Sequence, residues 1–265
     1  MQANNIFSFT RFGMLFRQSL IHNYRMILLS GIGFCGGLFI LLFLIQFGTD
    51  FRPLTLRNYE ILFMMLFSGL GIICAGTAFP DFRRRERALN YLLIPASPLE
   101  KFLLQFGNRV VLFVVITPAL YWLVYNVEGN VIKIFYPHFS FESQLYLFPR
   151  PHPDAESLEG LIYTAVFSVI LLMLVIPFTG ASAFSRQPII KTLFSLATIF
   201  FFNLFVAYVM FKVLGLQHYH PDSSAGILFV VHGAEDVFYV VAISAMLMSI
   251  GLLTAAYFKL KEKEV

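Results

Sequence analysis

Six separate stretches of about 20 largely apolar residues constrain this chain more than any motif in it. They are Met26–Phe47, Glu60–Phe79, Asn108–Asn126, Gly160–Gly180, Leu193–Leu214 and Asp236–Phe258, each bounded by charged, polar or Pro-containing sequence. A helix of that length, rising 1.5 Å per residue, crosses the hydrocarbon of a bilayer and supplies every backbone hydrogen bond internally, which lipid cannot do. Only 13% of the 265 residues are charged and 58% are apolar, against about 25% charged in a soluble domain. So few charges cannot clothe a water-facing surface. The composition excludes a soluble enzyme and a disordered chain, and the expected fold class is an all-α integral membrane protein with six transmembrane helices in a single domain.

Basic residues set the expected orientation. If the N-terminus is cytoplasmic, the inner segments hold all but Arg52, Arg57, Lys133, Arg150 and Lys212 of the 19 Lys and Arg residues, as the positive-inside rule requires. Both termini are then cytoplasmic, and most of the acids, Glu142, Asp154, Glu156, Asp222 and Glu235 among them, lie outside. The net charge of +4 follows from topology and implies no nucleic-acid partner, because no basic face is assembled on a soluble domain. The first apolar run exceeds the 7–15 residues of a signal peptide and lacks a small-x-small cleavage site after it, so it is expected to stay as a span. Cys35 and Cys74 both fall within spans and read as apolar packing residues.

Ahead of the first span, residues 6–25 place Arg11, Gln18, His22 and Arg25 on one arc and Phe9, Phe12, Phe16 and Leu20 on the other, the pattern of an amphipathic elbow helix lying in the membrane interface. Between spans two and three, residues 81–94 read as a short helix with Arg83, Arg84, Arg85, Glu86 and Arg87 followed by Leu89, Leu92 and Leu93. Pro95 ends it. Ser97-Pro98-Leu99-Glu100 then starts another: Ser97 is suited to cap it, Pro98 to occupy its first position and Glu100 to close a capping box. Lys101, Gln105, Asn108 and Arg109 continue as a polar stripe into the third span. The arginines alone would serve as topological anchors; the leucines beside them also suit docking into a groove of a cytoplasmic partner.

The run Arg85-Glu86-Arg87, then Leu92-Leu93-Ile94-Pro95-Ala96-Ser97, then Glu100-Lys101-Phe102 resembles the loop between spans two and three of ABC-2-type exporter permeases. The resemblance is strongest over residues 81–109. It implies a permease subunit whose cytoplasmic coupling helix, about 81–94, sits in a separate ABC ATPase subunit that binds ATP and Mg, with a second permease copy or homologue completing the pathway. On that basis the coupling residues are Arg83, Arg84, Arg85, Glu86, Arg87, Leu89, Leu92, Leu93, Pro95, Ser97, Glu100 and Lys101, and the location is the bacterial cytoplasmic membrane. Two features depart from the family: Ala88-Leu89 stands where Gly-Thr is usual, and the large outer segment, 127–159, lies between spans three and four.

The chain has no phosphate-binding loop of its own, so no cofactor is expected in it and ATP hydrolysis would have to come from the partner. Gly31-x-Gly33-x-x-Gly36 matches a dinucleotide fingerprint only formally, inside an apolar run; Gly33 and Gly37 read instead as a small-residue face for close helix packing. No carboxylate, His or Lys is expected mid-span, which argues against a proton relay. The deep polar groups Ser68, Thr117, Ser168, Asn203 and Ser244 read as interhelical hydrogen bonds. Lined by Phe, Leu, Met and Gly, the pathway suits an apolar or amphiphilic cargo, and lipids are the surrounding partners. His218, His220, Asp222 and His232 crowd the outer loop between spans five and six with zinc or copper donors, but without the fixed spacing of a metal motif they read as a solvated loop. No HExxH or GxSxG occurs, so no enzyme activity is expected. Two other readings stand beside the permease: an ATP-independent secondary transporter, and a membrane scaffold docking a cytoplasmic protein.

Overall fold

A computed structural model describes residues 7–49, 56–83, 96–136, 159–184, 186–209 and 234–263, and every regular element in these residues is helical. Six helical stretches among them are long and apolar enough to cross a membrane, and the chain is a multi-pass membrane protein. Helix α1 runs Phe9–Gly48, α2 Leu56–Gly76, α3 Pro98–Phe106, α4 Leu112–Phe135, α5 Glu159–Ala183, α6 Pro188–Tyr208 and α7 Ala234–Glu262.

Two boundaries differ from the sequence expectation. The elbow expected over 6–25 and the first span form one 40-residue helix, about 60 Å long at 1.5 Å per residue. Tyr24-Arg25-Met26-Ile27 offers neither proline nor glycine at the junction, so nothing interrupts the backbone ladder there. The third span emerges from the helix expected at Pro98 but runs past its expected end. A π-turn over Gly107–Val111 joins α3 to α4 without a break, and α4 continues past Asn126 to Phe135, so residues 127–135 belong to the helix and not to the outer segment. The wider turn changes the local pairing of backbone carbonyls; the Arg109 carbonyl accepts from the Cys74 thiol at 3.4 Å, and Asn108 Nδ2 donates to Ser19 Oγ at 2.8 Å, tying the π-turn to α2 and α1.

Helix α5 is the central element. It packs along α7 over most of its length and also meets α2 and α6, while α1 lies against α4. Glycines carry these contacts at three places. A methyl group at Gly71 would sit 2.5 Å from Leu174 Cδ2, one at Gly76 2.6 Å from Ile189 Cγ1, and one at Gly180 on top of Thr192. Gly33 and Gly37, expected to serve that purpose, have no neighbouring atom within 4 Å of an added Cβ among the described residues. The expected interhelical role of the deep polar groups is also revised. Ser168 donates to Thr164 O at 2.7 Å, Asn203 to Ile199 O at 2.8 Å and Ser244 to Val241 O at 3.1 Å, all within their own helices. A carbonyl one turn back is always in reach of such a side chain, whereas a partner on another helix requires matched register.

Two buried clusters form the core. One gathers Ala75, Phe79, Phe102, Leu174, Phe178, Ala181, Ala256 and Leu260. The other gathers Leu38, Leu42, Tyr59, Phe63, Phe67, Tyr121, Val124 and Tyr125. Phe113, Val114 and Ile170 border both.

Candidate functional site

Residues 84–95, which carry most of the expected coupling helix, lie outside the described residues, and with them Arg84, Arg85, Glu86, Arg87, Leu89, Leu92, Leu93 and Pro95. What the structure does show is how the two feet of that segment are held. On the leading side, α2 ends at Gly76 and Phe79 takes a left-handed backbone, φ 55°. This conformation is costly for a residue with a bulky Cβ and survives where packing enforces it. Phe79 is buried, and its ring lies 5.2 Å from that of Phe178 on α5. A single 3₁₀ turn, Pro80–Arg83, follows and includes the backbone of Arg83.

On the trailing side the capping box forms as the sequence predicts. Glu100 N donates to Ser97 Oγ at 3.3 Å, and Ser97 N donates to Glu100 Oε2 at 3.0 Å. Phe102 and Phe106 then meet Phe178 edge-on, with centroids at 5.6 and 5.5 Å. Both feet of segment 84–95 therefore rest on one aromatic ring of the central helix. Glu100 does more than close its own helix. Its Oε1 accepts the backbone N–H of Ser8, the N-cap of α1, at 2.8 Å and pairs with Arg11 Nη2 at 3.2 Å. One carboxylate thus caps two helix N-termini, where the aligned peptide dipoles favour negative charge. Ser97, Glu100 and Lys101 are all buried, so their part in any coupling is to hold the foot of the segment in place.

Helix α7 reaches the same region. Lys263 Nζ donates to the Ser182 carbonyl at 2.5 Å and lies 5.5 Å from the Phe82 ring, so it caps the end of α5 and touches the 3₁₀ turn. Burial, with the charge of Lys259 beside it, pushes the Lys263 ammonium below the ordinary lysine range.

A second constellation, at the other core cluster, escaped the sequence reading. Gln46 on α1, Tyr59 on α2 and Glu128 on α4 meet with their side chains out of solvent, and Gln46 and Glu128 are completely buried. Gln46 Nε2 lies 2.6 Å from Tyr59 Oη and 3.5 Å from Glu128 Oε2. Around them, Tyr121 donates to the Tyr59 carbonyl at 2.8 Å, and the Tyr59 and Tyr125 rings meet edge-on at 4.9 Å. Gln46 Oε1 and Glu128 Oε1 are buried with no hydrogen-bond partner. Ending the third span at Asn126 hid this site. The signal that would have found it is the helical spacing of Tyr121, Tyr125, Glu128 and Ile132, which places them on one face.

Nearby, α2 presents a surface hollow of about 600 Å³ lined by Arg57, Glu60, Ile61, Met64, Met65 and Ser68, all from that one helix. Among the described residues no cluster of His, Cys, Asp and Glu could hold a metal; His218, His220, Asp222 and His232 lie outside them. No family model, curated protein or solved structure matches the chain.

Proposed function

We propose that the chain is the membrane-spanning permease subunit of an ATP-driven ABC-2-like exporter in the bacterial cytoplasmic membrane, with both termini cytoplasmic. Segment 84–95 docks into a separate ABC ATPase that binds ATP and Mg, and a second copy or homologue completes a pathway for an apolar or amphiphilic cargo. The resemblance of residues 81–109 to the family's loop between spans two and three supplies this reading. The single observation that supports it is the seating of both feet of the segment on Phe178, with Glu100 linking the trailing foot to the start of α1. A push on such a segment moves α1, α3 and α5 together, because packed helices shift as bodies and do not deform smoothly. The open Gly33 and Gly37 face and the outward phenylalanines of α6, Phe200, Phe201 and Phe205, leave surface for lipid and for a second copy.

The test is recovery of the tagged chain from native membranes in mild detergent, with identification of stoichiometric partners and an assay of ATP hydrolysis. A P-loop ATPase is expected to co-purify with it and to be lost when Arg84, Arg87, Leu92 and Leu93 are replaced together, with membrane insertion intact. Retention of the ATPase by that variant sinks the coupling role of the segment. A stable complex without any ATPase sinks the exporter. An ATP-independent secondary transporter is the second reading, and the observation that favours it is the buried carboxyl of Glu128.

A further inference from the structure

The site at Gln46, Tyr59 and Glu128 stands apart from the loop and from the ATPase docking proposed for it. Glu128 is completely buried and forms no ion pair among the described residues. Among the described residues, the titratable groups beside it are tyrosines, Tyr59 from α2 and Tyr121 and Tyr125 from its own helix; α1 contributes the neutral amide of Gln46 and the side chains of Leu38 and Leu42. An ionised carboxylate here is removed from water with no counter-charge among the described residues and with one oxygen unpartnered, which is the unfavourable state.

The Gln46 amide offers a way out. An N–H···O bond prefers about 2.9–3.0 Å, whereas 2.6 Å is ordinary for O–H···O. The 2.6 Å separation from Tyr59 Oη therefore fits the amide turned over, its oxygen accepting the phenolic proton and also facing the Glu128 carboxyl at 3.5 Å. The oxygen and nitrogen of an amide are placed by their hydrogen bonds, and the two orientations differ by a half-turn about one bond. With Glu128 neutral, that oxygen accepts the Tyr59 O–H and faces the Glu128 O–H from 3.5 Å. With Glu128 ionised, the amide N–H must face the carboxylate instead. Gln46 is two residues from the end of α1 and Tyr59 is in the first turn of α2, so on these two helices the site lies about one turn from the helix end.

We propose that Glu128 is an exchangeable proton site, with the Gln46 amide turning over as the proton enters or leaves. Proton uptake forms the O–H bond on a Glu128 oxygen and turns the Gln46 carbonyl toward it; release returns the proton to water at the near ends of α1 and α2. A proton-binding carboxyl shared by α1, α2 and α4 couples the relative seating of these helices to proton activity on that side.

The test is infrared difference spectroscopy of the full chain in lipid nanodiscs across a pH titration, reading the carboxylic acid C=O stretch and its shift in D₂O. One carboxyl's worth of this band is expected to appear as pH falls and to be absent from Glu128→Gln. If Glu128→Gln does not fold, Gln46→Leu identifies the group, because loss of the acceptor moves the band to higher frequency. A Glu128 band that is constant over the whole titration, or no band that either variant removes or moves, overturns the proposal. The measurement involves no ATPase, so its failure leaves the exporter reading intact, and the reverse also holds.

Discussion

Glu100 shows what a single residue does at the foot of the loop. Its carboxylate accepts two backbone N–H groups and one guanidinium, and it is wholly buried, whereas the Arg11 side chain is 34% exposed. Removing the acid strands the donors of two helix N-termini. Glu100→Ala is expected to cost about 3–5 kcal/mol, and Arg11→Met less than that, because the two backbone N–H groups still partner the buried carboxylate. Thermal unfolding of both variants in detergent checks this, and equal losses would mean that the ion pair, not the double cap, holds the foot. Lys263 supplies a pH-dependent counterpart. Its ammonium titrates below 10.5, the ordinary lysine value, so between the folded value and 10.5 the unfolded chain binds more protons and stability rises with pH. Relative to Lys263→Met, the wild-type chain is expected to gain thermal stability as pH approaches 10.5 from below; identical pH slopes in the two would remove Lys263 as the cause.

At the scale of elements, helix approach is decided by Gly71, Gly76 and Gly180, and not by the Gly33 and Gly37 pair that the sequence pattern favours. Spacing identifies small residues on one face of a helix but not whether another helix comes to that face. Gly180→Ala tests the approach of α5 and α6. The new methyl lands on the β-branched Thr192, so overpacking of about 1–3 kcal/mol outweighs a gain in helix propensity of about 1 kcal/mol. Adding Thr192→Ala is expected to recover most of the loss, and a double variant no more stable than Gly180→Ala would argue against the contact. The cap at Ser97 was fully legible because it lies within four consecutive residues. The fusion of the elbow with the first span was not, since polar and apolar arcs of a helix change there without any residue that breaks the backbone.

For the whole molecule, six helices long and apolar enough to span put both ends of the chain on one side if all six cross, and the proposed cytoplasmic side is the one the positive-inside rule expects. In a chain with Cys35 and Cys74 replaced, Thr49→Cys is expected to react with a membrane-impermeant maleimide in intact cells, and Lys263→Cys only in inverted vesicles. The opposite pattern would invert the topology and put segment 84–95 out of reach of any cytoplasmic ATPase. The outward face of α6, with Phe194, Phe200, Phe201 and Phe205 all exposed, is what a lipid-facing helix presents, and it accounts for a share of the chain's 32 phenylalanines that no core could hold.

The number of spans and the cap of the third are determined by the sequence itself, because each depends on residues within a turn or two of one another or on the plain length of an apolar run. The sharing of Glu100 between two helix starts, the seating of Phe79, Phe102 and Phe106 on Phe178, and the closure of Gln46 and Tyr59 around Glu128 were decided only by the tertiary structure. In Glu128 the same carboxyl is unremarkable on an isolated helix and becomes a site when α1 and α2 take away its water. Burial is a property of neighbours that are distant along the chain, 82 residues in the case of Gln46 and Glu128.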